Sequence, residues 1–270
     1  MGEEICLWFY CFRYSFMLQE ILIFADGNKK NSDMENENFK LAGQKGRNAT
    51  LTMPALMPKV YIWMTLALLI TGFTAFVVAT NAALQSAIFG NSLVFWGLII
   101  AELALVWAVS ARIEKLSLVN ATLLFVLYSV INGATLSVIF LSYAAADIAT
   151  AFFVTAGTFA AMTLVGLTTK RDLSSLGGLC LMCIIGLLIA TVVNLFLRSG
   201  TLGMIISYVG VLVFVGLTAY DTNKIKNALQ QNEAGNEETA AKIALIGALA
   251  LYLDFINIFL YLLRIFGNRD

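Results

Sequence analysis

Asp254 stands in the middle of an otherwise apolar run of helix length, Ile243 to Leu263, and a second acid, Asp221, closes the run before it. A carboxylate at the centre of a bilayer-spanning helix is unfavourable by roughly 2.5 to 3.5 kcal/mol on insertion scales, so it needs a partner, water or a proton. Handling of protons or cations inside a membrane is therefore the first chemistry open to this chain. Two further ionisable residues join the candidates. Glu102 lies within the run Gly97 to Val109 with no charged residue within four positions, and Arg112 ends the same run. Glu102 reads either as an acid on an ion path or as a buried hydrogen-bonding group. Arg112 reads as a topogenic anchor, with a sharper role open to it: reaching Asp221 and stabilising its ionised form.

Composition closes off other chemistries. There is no histidine among the 270 residues, which removes Ser-His triads, His-ligated metals and the usual switch near neutral pH, and leaves carboxylates as the only pH sensors. No resident cofactor is expected. The cysteines stand at 6, 11, 180 and 183, and the last two form a CxxC inside an apolar run with no thioredoxin-like context, so they read as packing. Lysine plus arginine and aspartate plus glutamate balance at 17 each, so no basic surface argues for nucleic acid.

Groups at such depth need spanning elements, and 60% hydrophobic against 13% charged residues is a membrane composition. Seven stretches can cross a core about 30 Å thick, which takes roughly 20 helical residues. They run 61–80, 93–111, 118–142, 148–168, 176–197, 203–222 and 243–265. Prolines occur only at 54 and 58 and period-2 alternation is absent, so helices are indicated rather than barrel strands. The expected fold is all-α: a polytopic helical bundle over 59–268, embedded in a lipid bilayer, behind an N-terminal tail over 1–58.

Lysine and arginine are retained on the cytoplasmic side. The 2–3 loop carries Arg112 and Lys115, the 4–5 loop Lys170 and Arg171, and the 6–7 loop Lys224, Lys226 and Lys242, whereas the opposite loops carry only Arg198. The N-terminus is expected inside. Arg264 and Arg269 would then lie outside if the seventh segment spans fully, or inside if it re-enters; its length favours spanning.

The first residues behave differently. An aromatic-rich run, Ile5 to Phe24, is interrupted by Arg13, Gln19 and Glu20 and followed by a polar stretch, Asp26 to Asn48, of the kind found in disordered tails. Two readings stand: translation starts naturally at Met34, leaving 1–33 outside the native protein, or the run is a helix lying on the membrane interface.

Helical spacing sorts the remaining residues into faces. Ser129, Gly133 and Ser137 recur every fourth position and should meet another helix closely, with Asn132 and Asn194 as polar glue. Gly247, Ala250, Asp254, Asn257 and Tyr261 form one small or polar stripe, expected to face the bundle interior, opposite a face of Leu, Ile and Phe. Segments six and seven are sequential and antiparallel, so Asp221 can meet Asp254. Two carboxylates close together in low dielectric cannot both ionise comfortably, so one is expected to hold a proton for the pair. Losing that proton would push the helices apart. The plainer reading of Asp221 is an interfacial ion pair with Lys224 at i+3.

The segment Leu251-Tyr252-Leu253-Asp254-Phe255-Ile256-Asn257, with Tyr220-Asp221 ahead and Leu263-Arg264 behind, resembles the Bax inhibitor-1 family, in a bacterial-type member. The resemblance covers roughly 55–268 and leaves the first 33 residues without a counterpart. It implies a seven-helix bundle with the last helix central, in the inner membrane, and a pH-sensitive calcium leak governed by an aspartate pair matching Asp221 and Asp254. Arg112 and Glu102 look like the family's segment-two arginine and acid. With Asn257 they complete the expected latch or ion path, and Glu102, Asp221 and Asp254 the weak, transient calcium ligands. The loop from Gln230 to Ala241, with Glu233, Glu237 and Glu238, is expected to be long and acidic.

Two other classes compete with a calcium leak. One is a regulator that binds and inhibits a membrane-bound protease, as some bacterial relatives are thought to do, with residues 34–58 as its exposed signature. The other is an intramembrane aspartyl protease. The Gly-x-Gly-Asp arrangement of those enzymes is missing, since Asp254 follows Leu251-Tyr252-Leu253, so the chain reads as a non-enzyme.

Overall fold

A computed structural model describes residues 18, 19, 21–23, 56–113, 115–169, 171, 173–231 and 237–267. Met34, the tail over 34–55, Cys6, Cys11, Lys170, Glu233 and Arg269 lie outside the described residues. From Met57 onward these residues form helices α1 (Met57–Thr80), α2 (Ala82–Phe89), α3 (Ser92–Arg112), α4 (Leu118–Leu136), α5 (Val138–Ser142), α6 (Ala145–Thr168), α7 (Ser174–Leu197), α8 (Gly200–Gln231) and α9 (Glu237–Phe266). Seven spans are long and apolar enough to cross a membrane, α4 and α5 counting as one. The expected all-α polytopic bundle is what the chain forms.

Local chemistry sets the ends. Pro58 occupies the first turn of α1, where its missing N–H costs nothing. Asn81 and Asn91 cap α2 and α3 by accepting backbone N–H bonds, from Ala83 and Leu84 and from Leu93 respectively. Glu237 and Glu238 sit in the first turn of α9 and Arg264 in its last, each favourable to the helix dipole. α7 ends on Arg198 in the left-handed region (φ 49°), and Asn194 Oδ1 accepts from Ser199 N at 3.1 Å to close the turn. Asn194 thus serves its own turn through this bond.

α9 is the axis. Every residue from Gly247 to Leu263 is buried, and α8, α6, α1 and α4 pack around it, while α3 lies against α4 and α7 against α8. The outward sides carry exposed Phe73, Leu93, Phe153, Met182 and Phe196, an apolar coat suited to lipid. The face predicted on α4 meets α1 closely: a Cβ on Gly133 would lie 2.5 Å from the Thr71 carbonyl oxygen, and Thr71 Oγ1 donates to Ser129 O at 3.0 Å. Cys180 is a buried free thiol against Gly216 of α8.

Phe255 of α9 packs edge-on against Phe152 and Phe159 of α6. Two expectations change. The loop before α9 is short, because α8 runs to Gln231 and α9 starts at Glu237. Residues 18, 19 and 21–23 are helical, and Gln19 and Ile23 are buried against the bundle rather than spread on an interface. α9 also traverses the bundle in one unbroken helix. Its far end meets the α7–α8 turn, where a Cβ on Gly203 would strike Arg264, and the α5–α6 turn, where Gly267 abuts Tyr143. A re-entrant path is thereby excluded.

Candidate functional site

Two contacts fix how α8 and α9 run past each other. A Cβ on Gly210 would fall on the ring of Tyr261, and a Cβ on Gly247 would lie 2.9 Å from Cδ1 of Ile225. The helices are therefore antiparallel, with 210 opposite 261 and 225 opposite 247. Interpolated between those contacts, Asp254 falls opposite Leu217 and Thr218. Asp221 lies one turn further along α8, about 5 Å by the helical rise. Both acids are buried, Asp254 completely. They come from the helix pair that forms the core of the bundle, as their order in the sequence led us to expect.

The charge acting on Asp221 from nearby is Lys224, three residues on, whose ammonium also lies 5.7 Å from the centre of the Tyr220 ring. The hydroxyls of Tyr61, Thr163 and Thr222 converge from α1, α6 and α8, none in full hydrogen-bonding geometry. α8 is clamped at this level to the end of α6. Lys226 Nζ donates to Leu167 O at 2.7 Å, and Asn223 Nδ2 donates to the carbonyls of Gly166 and Thr169, each at 3.2 Å. Exposed carbonyls at a helix C-terminus attract such donors.

Glu102 belongs to a different corner. It is fully buried on α3, accepts from Thr135 Oγ1 of α4 at 2.6 Å, and its Oε2 has no hydrogen-bond partner. The adjoining Tyr252 of α9 donates to Asn132 Oδ1 at 3.0 Å, and its hydroxyl oxygen lies 2.8 Å from Thr71 Oγ1 of α1, so Asn132 is the cross-helix glue expected of it. Asn257 bonds Leu253 O of its own helix at 3.0 Å and leaves Oδ1 without a partner.

Glu102, Asp221 and Asp254, expected as weak calcium ligands along a path, are not gathered into one cluster, since among the described residues no group of three or more His, Cys, Asp or Glu side chains is placed to hold a metal. One assignment needs correcting: Arg112 does not join the aspartates. It is exposed, with its guanidinium 5.3 Å from the centre of the Trp107 ring on its own helix, and no ion pair to Asp221 is formed. Tyr252, Thr71, Tyr61 and the Asn223–Lys226 clamp escaped the sequence reading, because a hydroxyl or a cation near a span end carries no signal until its neighbour is known.

Asp254 is thus a buried acid on the central helix α9, and Asp221 a buried acid on α8 beside it. The family described as Inhibitor of apoptosis-promoting Bax1 matches residues 53–270. The chain belongs to the Bax inhibitor-1 family. Among its relatives is the Inner membrane protein YbhL of Escherichia coli K12, 53% identical over 213 residues, 79% of this chain and 91% of the relative. Uncharacterized proteins of Borreliella burgdorferi and Deinococcus radiodurans are 41% and 42% identical, each over 79% of this chain and covering 91% and 90% of the relative. This member of the family is a multi-pass membrane protein seated in a lipid bilayer. The matched region begins well after residues 18–23.

Proposed function

We propose that the protein is a proton-gated leak for calcium, acting without covalent chemistry in an inner membrane with its N-terminus on the cytoplasmic side. One observation supports this reading: Asp221 and Asp254 are both buried, on the neighbouring helices α8 and α9, and the packing register puts them about one turn apart along the axis. In a low-dielectric interior the pair holds a shared proton. Its loss places two negative charges on facing helices and drives α8 away from α9, which opens the path.

Calcium is the cargo because it takes oxygen ligands. We read as its successive stations the buried oxygens that make no hydrogen bond, Glu102 Oε2, Asn257 Oδ1 and the hydroxyls of Thr222, Thr163 and Tyr61. Weak stations in series suit conduction, which needs ions to leave as readily as they enter. The inner-membrane assignment follows the name of the YbhL relative, and the orientation follows the loop charges.

The test is calcium flux into dye-loaded liposomes as a function of pH, for the wild type, Asp221→Asn and Asp254→Asn. The wild type should leak with a pH dependence, and each variant should lose it. Absence of flux at every pH, or retention of the wild-type profile by both variants, sinks the proposal.

A further inference from the structure

The hydrogen-bond chain in the core does not end within the part of the molecule that the family matches. Tyr252 of α9 donates to Asn132 Oδ1, Asn132 Nδ2 donates to the Tyr128 hydroxyl at 3.3 Å, and that hydroxyl donates to Gln19 Oε1 at 2.7 Å. Every donor points away from α9. The Gln19 carbonyl oxygen is therefore the acceptor on which the direction of the whole chain rests.

Burial agrees with this role. Gln19 is fully buried, and Ile23, one turn on, belongs to the hydrophobic core. Tyr128 lies ten residues beyond Leu118, about 15 Å along α4, so the docking occurs at depth and not at the rim. An amide is expensive there unless its polar atoms are bonded. Tyr128 gains equally, since Gln19 accepts its proton at 2.7 Å while Asn132 Nδ2 donates to its oxygen. The rings of Tyr128 and Tyr252 also meet edge-on, 5.8 Å apart, so a shift at one is felt by the other. Tyr252 stands two residues before Asp254.

We propose that residues 18–23 are an internal latch: by docking Gln19 on Tyr128 they hold α9 in the position seen here, and their withdrawal frees it. The effect on ion flux rests on the calcium-leak reading above; the latch itself does not. Bonds across membrane helices are individually modest, which suits a contact that is made and released.

The experiment compares the wild type in liposomes with Gln19→Leu, which keeps the bulk and removes the acceptor, and with a chain starting at Met34. Both altered forms should unfold at lower temperature, and should leak calcium several-fold faster at a pH where the wild type is closed. In a background with Cys6, Cys11, Cys180 and Cys183 replaced by serine, a short bifunctional thiol reagent should join Gln19→Cys to Tyr128→Cys within one chain. The latch is overturned if that cross-link does not form, or if both altered forms match the wild type in unfolding temperature and flux. Peptide mapping that shows the natural protein starting at Met34 overturns it as well. A wild type that passes no calcium at any pH defeats the leak reading alone, and the cross-link and unfolding temperature then decide the latch.

Discussion

Replacing Gly210 by alanine should wedge α8 from α9. The added Cβ would lie 2.5 Å from Cε1 and 2.7 Å from Cε2 of Tyr261, where ordinary contact begins at 3.4 Å. The ring cannot yield, because Tyr261 is fully buried and its face lies 5.9 Å from that of Phe214. α8 must therefore back away by about 1 Å, and overpacking of this kind costs about 1–3 kcal/mol. Gly247→Ala is the instructive contrast: its Cβ meets Cδ1, Cγ1 and Cγ2 of Ile225 at 2.9–3.0 Å, a side chain stiff at χ1 in a helix, so α8 must again move, but by about half as much and at smaller cost. Gly186→Ala on α7, with nothing within 4 Å, should be neutral or slightly stabilising through helix propensity. Thermal unfolding in detergent should rank the three as Gly210→Ala well below Gly247→Ala, and Gly186→Ala at the wild-type value. Since the wedge opens the helix pair that carries the aspartates, calcium flux of Gly210→Ala should also rise at a pH where the wild type is closed. A Gly210→Ala protein as stable as Gly186→Ala would refute the packing register from which the aspartate separation was obtained.

Two further outcomes follow from contacts rather than from resemblance. Arg112→Ala should leave the pH dependence of calcium flux unchanged and lower stability by about 0.5–1 kcal/mol, the worth of an exposed cation–aromatic contact; a shifted pH profile would put Arg112 back beside Asp221. Tyr252→Phe removes the hydroxyl shared with Asn132 and Thr71 and should cost about 1 kcal/mol, in line with measured bonds between membrane helices. An unfolding temperature equal to that of the wild type would show that this bond contributes nothing.

Much of this architecture was legible because hydropathy tracks what a bilayer tolerates. The span expected at 93–111 is α3, Ser92–Arg112, and that at 176–197 is α7, Ser174–Leu197. Expectation fell short where a helix outruns the lipid. α8 continues to Gln231 and α9 starts at Glu237, in polar turns that no hydropathy window reaches, although the acids at the start of α9 are a helix-start signal. α2 was missed for a related reason, since only the capping asparagine at 81 announces so short a helix. The acids were found because charge in an apolar run is conspicuous. What the sequence could not supply was the neighbour of each apolar face: lipid and protein interior are both apolar, so the packing of Phe255 on Phe152 and Phe159 of α6 was not legible. The same ambiguity let Arg112 be aimed at Asp221, when the Trp107 ring one turn away on its own helix had the nearer claim.

The helix around which α1, α4, α6 and α8 pack is also the last of them to be synthesised. Chains emerge N-terminus first, so α1 to α8 enter the bilayer before their common partner exists. Thr71, Asn132 and Asp221 must then wait with their final neighbours absent. The bundle cannot close until the 30 residues of α9 arrive and fill its centre. Loss of a few C-terminal turns would accordingly remove the middle of this protein rather than its edge. An interrupted chain is left hollow, with polar side chains turned to one another or to lipid.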